Sequence, residues 1–509
     1  MKKMTQELNI ARWGGLLQFV NIHQQIRRSS PQRANSEKIG RYMNKTIIIG
    51  LWLLLSQIAS ADWFDNLKAA DDAEDLYRVL YYMPKGGDLH NHLSGAAFPE
   101  WWYDAALAGK AHGYEYYTKV RIENCRDYGG NEFGGEPYYL MFRNIMAVRY
   151  GQLSDCEKRE YKRLEDLDEQ EKAAWMNSIL LDKPHEGRDE FFQTHWQRLF
   201  ALLTNPWIQA EIMYRNMLAF GEEGVTYIEF QIADAGFQNP DGSIISPNES
   251  IDILRERLRQ KDAIDTGVTV RFQIAILRFL PNAEDALRRV YKLAYENSDI
   301  FVAVNMVGRE DDDRGYPARF LPTMRDLRRQ YSGVKLSIHA GEVDEPNSHV
   351  RDTLLLGAER IGHGLNLITD DDTMRLMRHG PYLVEINLIS NLLLHYIDDY
   401  AQHPFPEYLR TGIPVALSTD DRGMWDSTMT DEFFVAVTEF NLSWDEIRQL
   451  SRNSLAHAFV SPAVRQGLLD QYDAKIQQFE RQISRSGIAK LGPMPETRGF
   501  ICRHYELCF

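Results

Sequence analysis

The chain has little of several things that would each have pointed to a different kind of protein. Long apolar runs are missing. The stretch Ile47 to Leu55 is too short to span a bilayer comfortably. Basic charge is in short supply, with 58 Lys and Arg against 73 Asp and Glu, a net charge of −15. A nucleic-acid polymer needs a basic face to bind its phosphates, so that class of partner is excluded. Cysteine is scarce at four in 509 residues, and the spacings are too wide for a zinc knuckle. No glycine loop runs into Lys-Ser or Lys-Thr, which removes the usual cradle for a nucleoside triphosphate. No Gly-x-Ser-x-Gly elbow offers a serine nucleophile. His-x-Glu followed by Pro-Cys-x-x-Cys, the mark of one zinc deaminase fold, is also absent.

What charge there is falls unevenly. Residues 1–61 carry nine Lys and Arg against two Glu, leaving the remainder at 49 basic against 71 acidic. Met43-Asn44-Lys45, the apolar run and Ala59-Ser60-Ala61 follow the basic, apolar, small-residue order of a secretory signal peptide. The expectation is an exported protein, periplasmic or extracellular, with translation starting at Met43, cleavage before Asp62 and no stable membrane span after processing. The domain plan is 1–61 as extension and signal, then 62–509 as one large domain. Four cysteines suit export. Three pairings are open, the simplest being Cys125–Cys156 and Cys502–Cys508, with free buried thiols as the alternative.

Residues 62–84 pattern as a helix, Ala69 to Tyr82, ended by Pro84. Eight apolar stretches follow: 86–93, 225–232, 268–277, 301–308, 335–342, 360–367, 383–390 and 414–421. Nearly continuous apolar runs are what parallel strands covered on both faces require. Amphipathic patterns such as Pro281–Asn297, Phe320–Tyr331 and Asp370–His379 separate several of them. Eight strand–helix units predict an α/β fold, a (β/α)₈ barrel, which carries its chemistry at the C-terminal ends of the strands. The gap from 94 to 224 is too long for one crossover. It predicts an insertion after the first strand, about 110–190, that could serve as a lid, a binding module or an oligomer contact, a homodimer included. Residues 428–485 read as packing helices behind a Ser427/Thr428 cap.

Strand ends carry the chemistry-bearing side chains. His90 and His92 lie two apart at the end of the first run and should face the same side. The fifth run ends on His339, with Glu342 three residues on. His363 ends the sixth, and the eighth reaches Asp420 and Asp421. Three imidazoles, His90, His92 and His339, with the Asp420 carboxylate would make one zinc site open to water, and zinc brings the pKa of such a water near neutrality. Glu342 is then the candidate acid/base, and His363 could orient or deprotonate the water. Asp421 could hold a polar edge of the substrate. Phe301–Gly308 carries no lysine for a bridging carbamate, which favours a single metal ion. Any one of these histidines alone is more often a core residue than a ligand. Four strand ends together reverse those odds.

Met83-Pro84-Lys85 leading to His90-Asn91-His92, Ser337-Ile338-His339-Ala340-Gly341-Glu342, Arg360-Ile361-Gly362-His363-Gly364 and Leu417-Ser418-Thr419-Asp420-Asp421 resemble the adenosine deaminase family over roughly 83–460. The signal and long insertion are similar to its secreted, growth-factor-related members. The resemblance implies zinc-assisted attack of water on purine C6, releasing ammonia and leaving inosine, with a small purine nucleoside as partner. It implies His90, His92, His339 and Asp420 as zinc ligands and Glu342 as proton donor to ring N1, with His363 assisting the water. Asp421 would meet N7, and the Gly308 N–H would meet N3. Many cytosolic members place a ribose-contacting acid two residues after the second histidine. Here that position is Ser94, which brings 2′-deoxyadenosine or a modified nucleoside among the candidate substrates. Adenine and AMP are alternatives, the latter weakened because only Arg309 and Arg422 stand near the motifs. His395 and His403 read as structural or surface residues. A non-catalytic secreted binding protein on the same scaffold is the reading from another class, and the intact ligand set counts against it.

Overall fold

The expected strands form, and they close. A computed structural model of the chain describes residues 63–70, 72–125, 139–233 and 236–509. Its strands are β1 (Gly86–His92), β2 (Tyr116–Lys119), β3 (Asn144–Met146), β4 (Tyr161–Arg163), β5 (Val225–Ala233), β6 (Thr269–Leu277), β7 (Phe301–Val307), β8 (Lys335–Ala340), β9 (Arg360–His363), β10 (Leu383–Ile386) and β11 (Val415–Leu417). Eight of them pair in the order β1-β5-β6-β7-β8-β9-β10-β11, every pair parallel. A parallel bridge between Asn91 and Asp420 joins the two edges. The Asp420 N–H donates to His90 O at 2.9 Å and the His92 N–H donates to Asp420 O at 3.1 Å. The architecture is the (β/α)₈ barrel, and its seam lies among the residues singled out above.

Several strands stop earlier than their apolar runs do. β9 ends at His363, where the backbone turns left-handed (φ +62°) into Gly364 and a 3₁₀ turn, Leu365–Thr369. β10 ends at Ile386 and the chain enters the helix Leu388–Leu393. β11 ends at Leu417, three residues before Asp420, itself at φ +53°. Non-glycine residues rarely adopt that region, and such backbone gathers at sites where side-chain aim matters. The helix expected over Ala69–Tyr82 is divided: residues 63–69 are already helical. A separate helix begins at Ala73 because Asp72 takes the cap position and accepts the Asp75 N–H at 3.0 Å.

Between β1 and β5 the chain builds a subdomain of its own. The short antiparallel sheet β3-β2-β4 stands beside the helices Pro99–Ala108, Glu169–Asn177, Trp196–Leu203 and Pro206–Glu222. The neighbour pairings of cysteine both form, Cys125–Cys156 in this insertion and Cys502–Cys508 at the C-terminus. Behind the barrel, Thr428 caps the helix Met429–Phe440, and the helices Trp444–Ala456 and Pro462–Ser486 follow. Among the described residues no helix is long and apolar enough to cross a membrane. The signal-peptide reading at 43–61 lies outside the described residues.

Candidate active site

Parallel strands present their C-terminal ends on one rim, and there the expected side chains meet. Asp420 is the hub. Its Oδ1 lies 3.3 Å from His92 Nε2 and 3.5 Å from His90 Nε2, while its Oδ2 accepts the Ser390 hydroxyl at 2.7 Å. One donor atom each from His90, His339, His363 and Asp420 lies within 4.8 Å of the others, and His92, Asp420 and Asp421 form a second group of that span. The His90 and His339 rings stand 4.3 Å apart, and those of His92 and His339 5.4 Å. His92 thus reaches the cluster through Asp420, and His363 sits deeper in it than its sequence position suggested. Two buried atoms aimed at the centre, His90 Nε2 and Asp420 Oδ1, have no hydrogen-bond partner. A cation between them is what that donor set fits.

The ring beneath decides which nitrogens face inward. Glu385 Oε2 lies 2.8 Å from His90 Nδ1, and Asn305 Oδ1 lies 3.0 Å from His339 Nδ1. Both partners accept, so both Nδ1 atoms donate to them and the Nε2 atoms are left to the shared centre, the ring orientation a metal needs. Glu385 is itself held by the Ser337 hydroxyl (2.8 Å) and by Arg360 Nε (2.7 Å). The other end of the Arg360 guanidinium meets Glu229. Asn305 is oriented by donating to Gln273 Oε1 at 2.8 Å. Local sequence reading missed these supports. The one available signal was an acid inside an apolar run, Leu383-Val384-Glu385-Ile386.

Glu342 stands on a turn clamped from both sides. The Glu310 carboxylate accepts the N–H groups of Gly341 (3.0 Å) and Glu342 (2.9 Å), and Arg278 donates to the His339 carbonyl at 2.7 Å. Glu342 Oε2 then lies 3.7 Å from His363 Nε2. Burial, and after it the charges of Asp420 and Glu310, holds the Glu342 carboxyl well above its ordinary range. Asp421 is raised by burial and by Asp420 and Glu342. Burial would also raise Asp420, but His90 and His92 outweigh it and keep it ionised. Burial pulls His363 down to about 3, with the charge of His90 adding to it. For His90, burial is outweighed by the carboxylates on its two nitrogens, which raise it to about 10. These neighbouring acids are thus pushed apart, Asp420 downward and Glu342 and Asp421 upward, the pattern that sets an ionised group beside a proton donor.

The remaining expected residues are placed as follows. Asp421 is buried with Oδ1 unpartnered. It has room only because residue 95 is glycine, since a Cβ there would sit 1.5 Å from that oxygen. Ser94 donates to Gln209 Oε1 at 3.0 Å, on the insertion's helix Pro206–Glu222. Gly308 follows β7 with φ +90°, and a Cβ there would meet Phe279 at 2.6 Å. From the insertion, the Trp196 ring stands 6.2 Å from that of His92, and Phe191 packs against both Trp196 and Trp425. The insertion is tied to the rim by ion pairs, Arg188 with Asp344 and Asp311, and Asp189 with Arg309.

Residues 162–475 match the family model described as Adenosine deaminase. An adenosine deaminase from Enterococcus faecalis is 31% identical over 242 residues, 47% of this chain and 68% of its own. One from Aedes albopictus is 23% identical over 431 residues, 81% of this chain and 76% of its own. An N6-methyl-AMP deaminase from Bos taurus is 24% identical over 297 residues, 57% and 82% of the two chains. Among solved structures, the adenine deaminase of Arthrobacter aurescens superposes with a TM-score of 0.56 at 19% identity, covering 77% of this chain and 99% of that one. A zinc-bound amidohydrolase from Burkholderia ambifaria gives 0.57 at 16% identity, covering 80% and 94%. At those identities the structures speak for the fold.

Proposed function

The chain belongs to the adenosine deaminase family and is a hydrolytic aminohydrolase, and we propose that it deaminates a nucleoside, adenosine or 2′-deoxyadenosine, at a single zinc ion. His90, His92, His339 and Asp420 would hold the ion: His90 Nε2 and Asp420 Oδ1 are buried without partners, and His92 Nε2 lies 3.3 Å from that oxygen. When bound, zinc supplies Lewis acidity that brings the pKa of water near neutrality. The chain's own groups do the rest. Glu342, its carboxyl pushed up by burial and by the charge of Asp420, donates to ring N1 as C6 becomes tetrahedral. His363, 3.7 Å from it, orients the attacking water. Asp421, its carboxyl also pushed up by burial and by Asp420, donates to N7, and the Gly308 N–H meets N3. Water adds at C6 and returns one proton to the Glu342 carboxylate, its second proton passes to the amino group, which leaves as ammonia, and the ring keeps a C6 carbonyl as inosine or deoxyinosine. The observation that carries this reading is the convergence of donor atoms from His90, His339, His363 and Asp420, with Glu342 Oε2 3.7 Å from His363 Nε2.

A nucleoside is favoured over AMP because Arg188, Arg309 and Arg422 are each already paired with a carboxylate. Arg309 is gripped by both oxygens of Asp311 and by Asp189. Arg422 is buried against Glu223 and Asn216, and Arg188 pairs with Asp344 and Asp311. A phosphate would have to displace a carboxylate from each. The sugar falls to Ser94 and Gln209, whose Nε2 is buried without a partner. Loss of purine absorbance with adenosine, 2′-deoxyadenosine, adenine and AMP tests the assignment. The nucleosides should lead in kcat/KM. A preference for AMP would move the protein to nucleotide deamination, and silence on all four would leave a binding protein on an enzyme scaffold. Export is part of the same proposal, supported by the two disulfides, which oxidising compartments sustain. Asp62 should be the first residue of the exported protein.

A further inference from the structure

We propose that His403 is a positioning residue that determines which nitrogen of His363 carries the proton, through a hydrogen-bond relay across Asn391. His403 is buried, two residues before the helix Phe405–Thr411. The Phe405 backbone N–H points at His403 Nδ1 from 3.1 Å. A backbone N–H can only donate, so Nδ1 presents its lone pair and the ring's proton lies on Nε2. That Nε2–H needs an acceptor, and Asn391 Oδ1 lies 3.1 Å away. The orientation of the Asn391 amide is therefore dictated by its neighbour. Its other end, Nδ2, faces His363 Nδ1 at 3.3 Å; Asn387 Nδ2 lies 3.3 Å from that nitrogen and 3.5 Å from Nε2, so the direction is carried by Asn391. An amide donor meets a lone pair there, which leaves the proton of His363 on Nε2, the nitrogen beside Glu342.

Each direction follows from the one before, and the first is a backbone group that has no alternative. The consequence sharpens the role of His363. An imidazole showing N–H toward the reacting water holds its oxygen by donation and fixes its approach to C6. It does not take the water's proton, because the nitrogen facing the water has no lone pair. The meaning for catalysis rests on the deaminase reading above, while the relay itself stands on geometry alone.

Neutron diffraction from the deuterated holoenzyme reads the relay directly, with deuterons expected on Nε2 of both His403 and His363 and none on either Nδ1. Kinetics read its effect. His403→Phe should lower kcat on adenosine by about tenfold or more with KM within about twofold, metal content unchanged. His403→Gln can place its amide N–H near the site of the lost Nε2–H and should recover most of the loss. A deuteron on Nδ1 of His363 overturns the proposal. So does a His403→Phe enzyme with wild-type kcat, or a pair of variants that move kcat and KM equally. A wild type that deaminates no purine sinks the functional reading, yet the deuteron positions still decide the relay. Should His403→Phe not fold, the glutamine variant and the neutron map decide it.

Discussion

Two polar layers lie one above the other inside the same barrel, and they are built on opposite principles. In the lower, Arg360 sits between Glu229 and Glu385, and Gln273, Ser337 and Asn305 complete the hydrogen bonding. In the upper, at the rim, His90 Nε2, Asp420 Oδ1 and Asp421 Oδ1 are buried and unpaired. The lower layer is neutralised by its own arginine, whereas the donor atoms of the upper layer fit a bound cation. Glu385 connects them, since it balances Arg360 below and orients His90 above. Buried charge left open in this way is costly unless a ligand completes it. The difference therefore separates what the barrel spends on stability from what it reserves for chemistry, and each layer can be broken without the other.

The largest effect should come from the rim. Glu342→Gln removes the proton donor, and kcat should fall by about 10²–10⁴-fold while the melting temperature stays where it was. A variant that loses activity only in proportion to lost folded protein would refute the separation. Arg360→Met strikes the lower layer and strands two carboxylates, so denaturant unfolding should show a loss of about 3–5 kcal/mol. The variant molecules that remain folded should still bind metal. Third is Asp431, buried behind the barrel, where its carboxylate accepts the Tyr77 hydroxyl at 2.7 Å. Burial raises its pKa to about 7, against about 3.9 in an unfolded chain. The folded state thus favours the neutral acid. Its contribution is fully present below about pH 4 and is lost as pH rises toward 7. Asp431→Asn is neutral throughout, so relative to wild type it should gain stability across that window, on the order of a few kcal/mol. Equal slopes of melting temperature against pH in the two proteins would argue against it. The smallest effect is at the joint. Glu385→Gln should weaken metal affinity by about 10–100-fold, measured by competition with a chelator, and restore most activity at saturating metal.

Much of this was legible in the sequence. The eight strands and their parallel arrangement follow from the apolar runs, and the His, Glu and Asp residues at the ends of those runs gather at one rim. The layer beneath was not, because its contacts join residues far apart in the chain, as His90 and Glu385 do across 295 positions. An acid in a strand shows its presence locally and not its partner. His403 failed for the same reason, since only the fold brings Asn391 between it and His363. The insertion's sheet escaped because β2, β3 and β4 are three or four residues long, too short for alternation to register. The strand ends were overextended where left-handed turns at His363 and Asp420 cut them short. Those turns are also what aim the site.

Anomalous diffraction at the zinc edge, from crystals of the protein as purified, addresses the central claim. One peak is expected, about 2.0–2.2 Å from nitrogens of His90, His92 and His339 and an oxygen of Asp420, with an open position toward Glu342. No zinc at the rim, or zinc gripped by His363 in place of His92, would contradict the account.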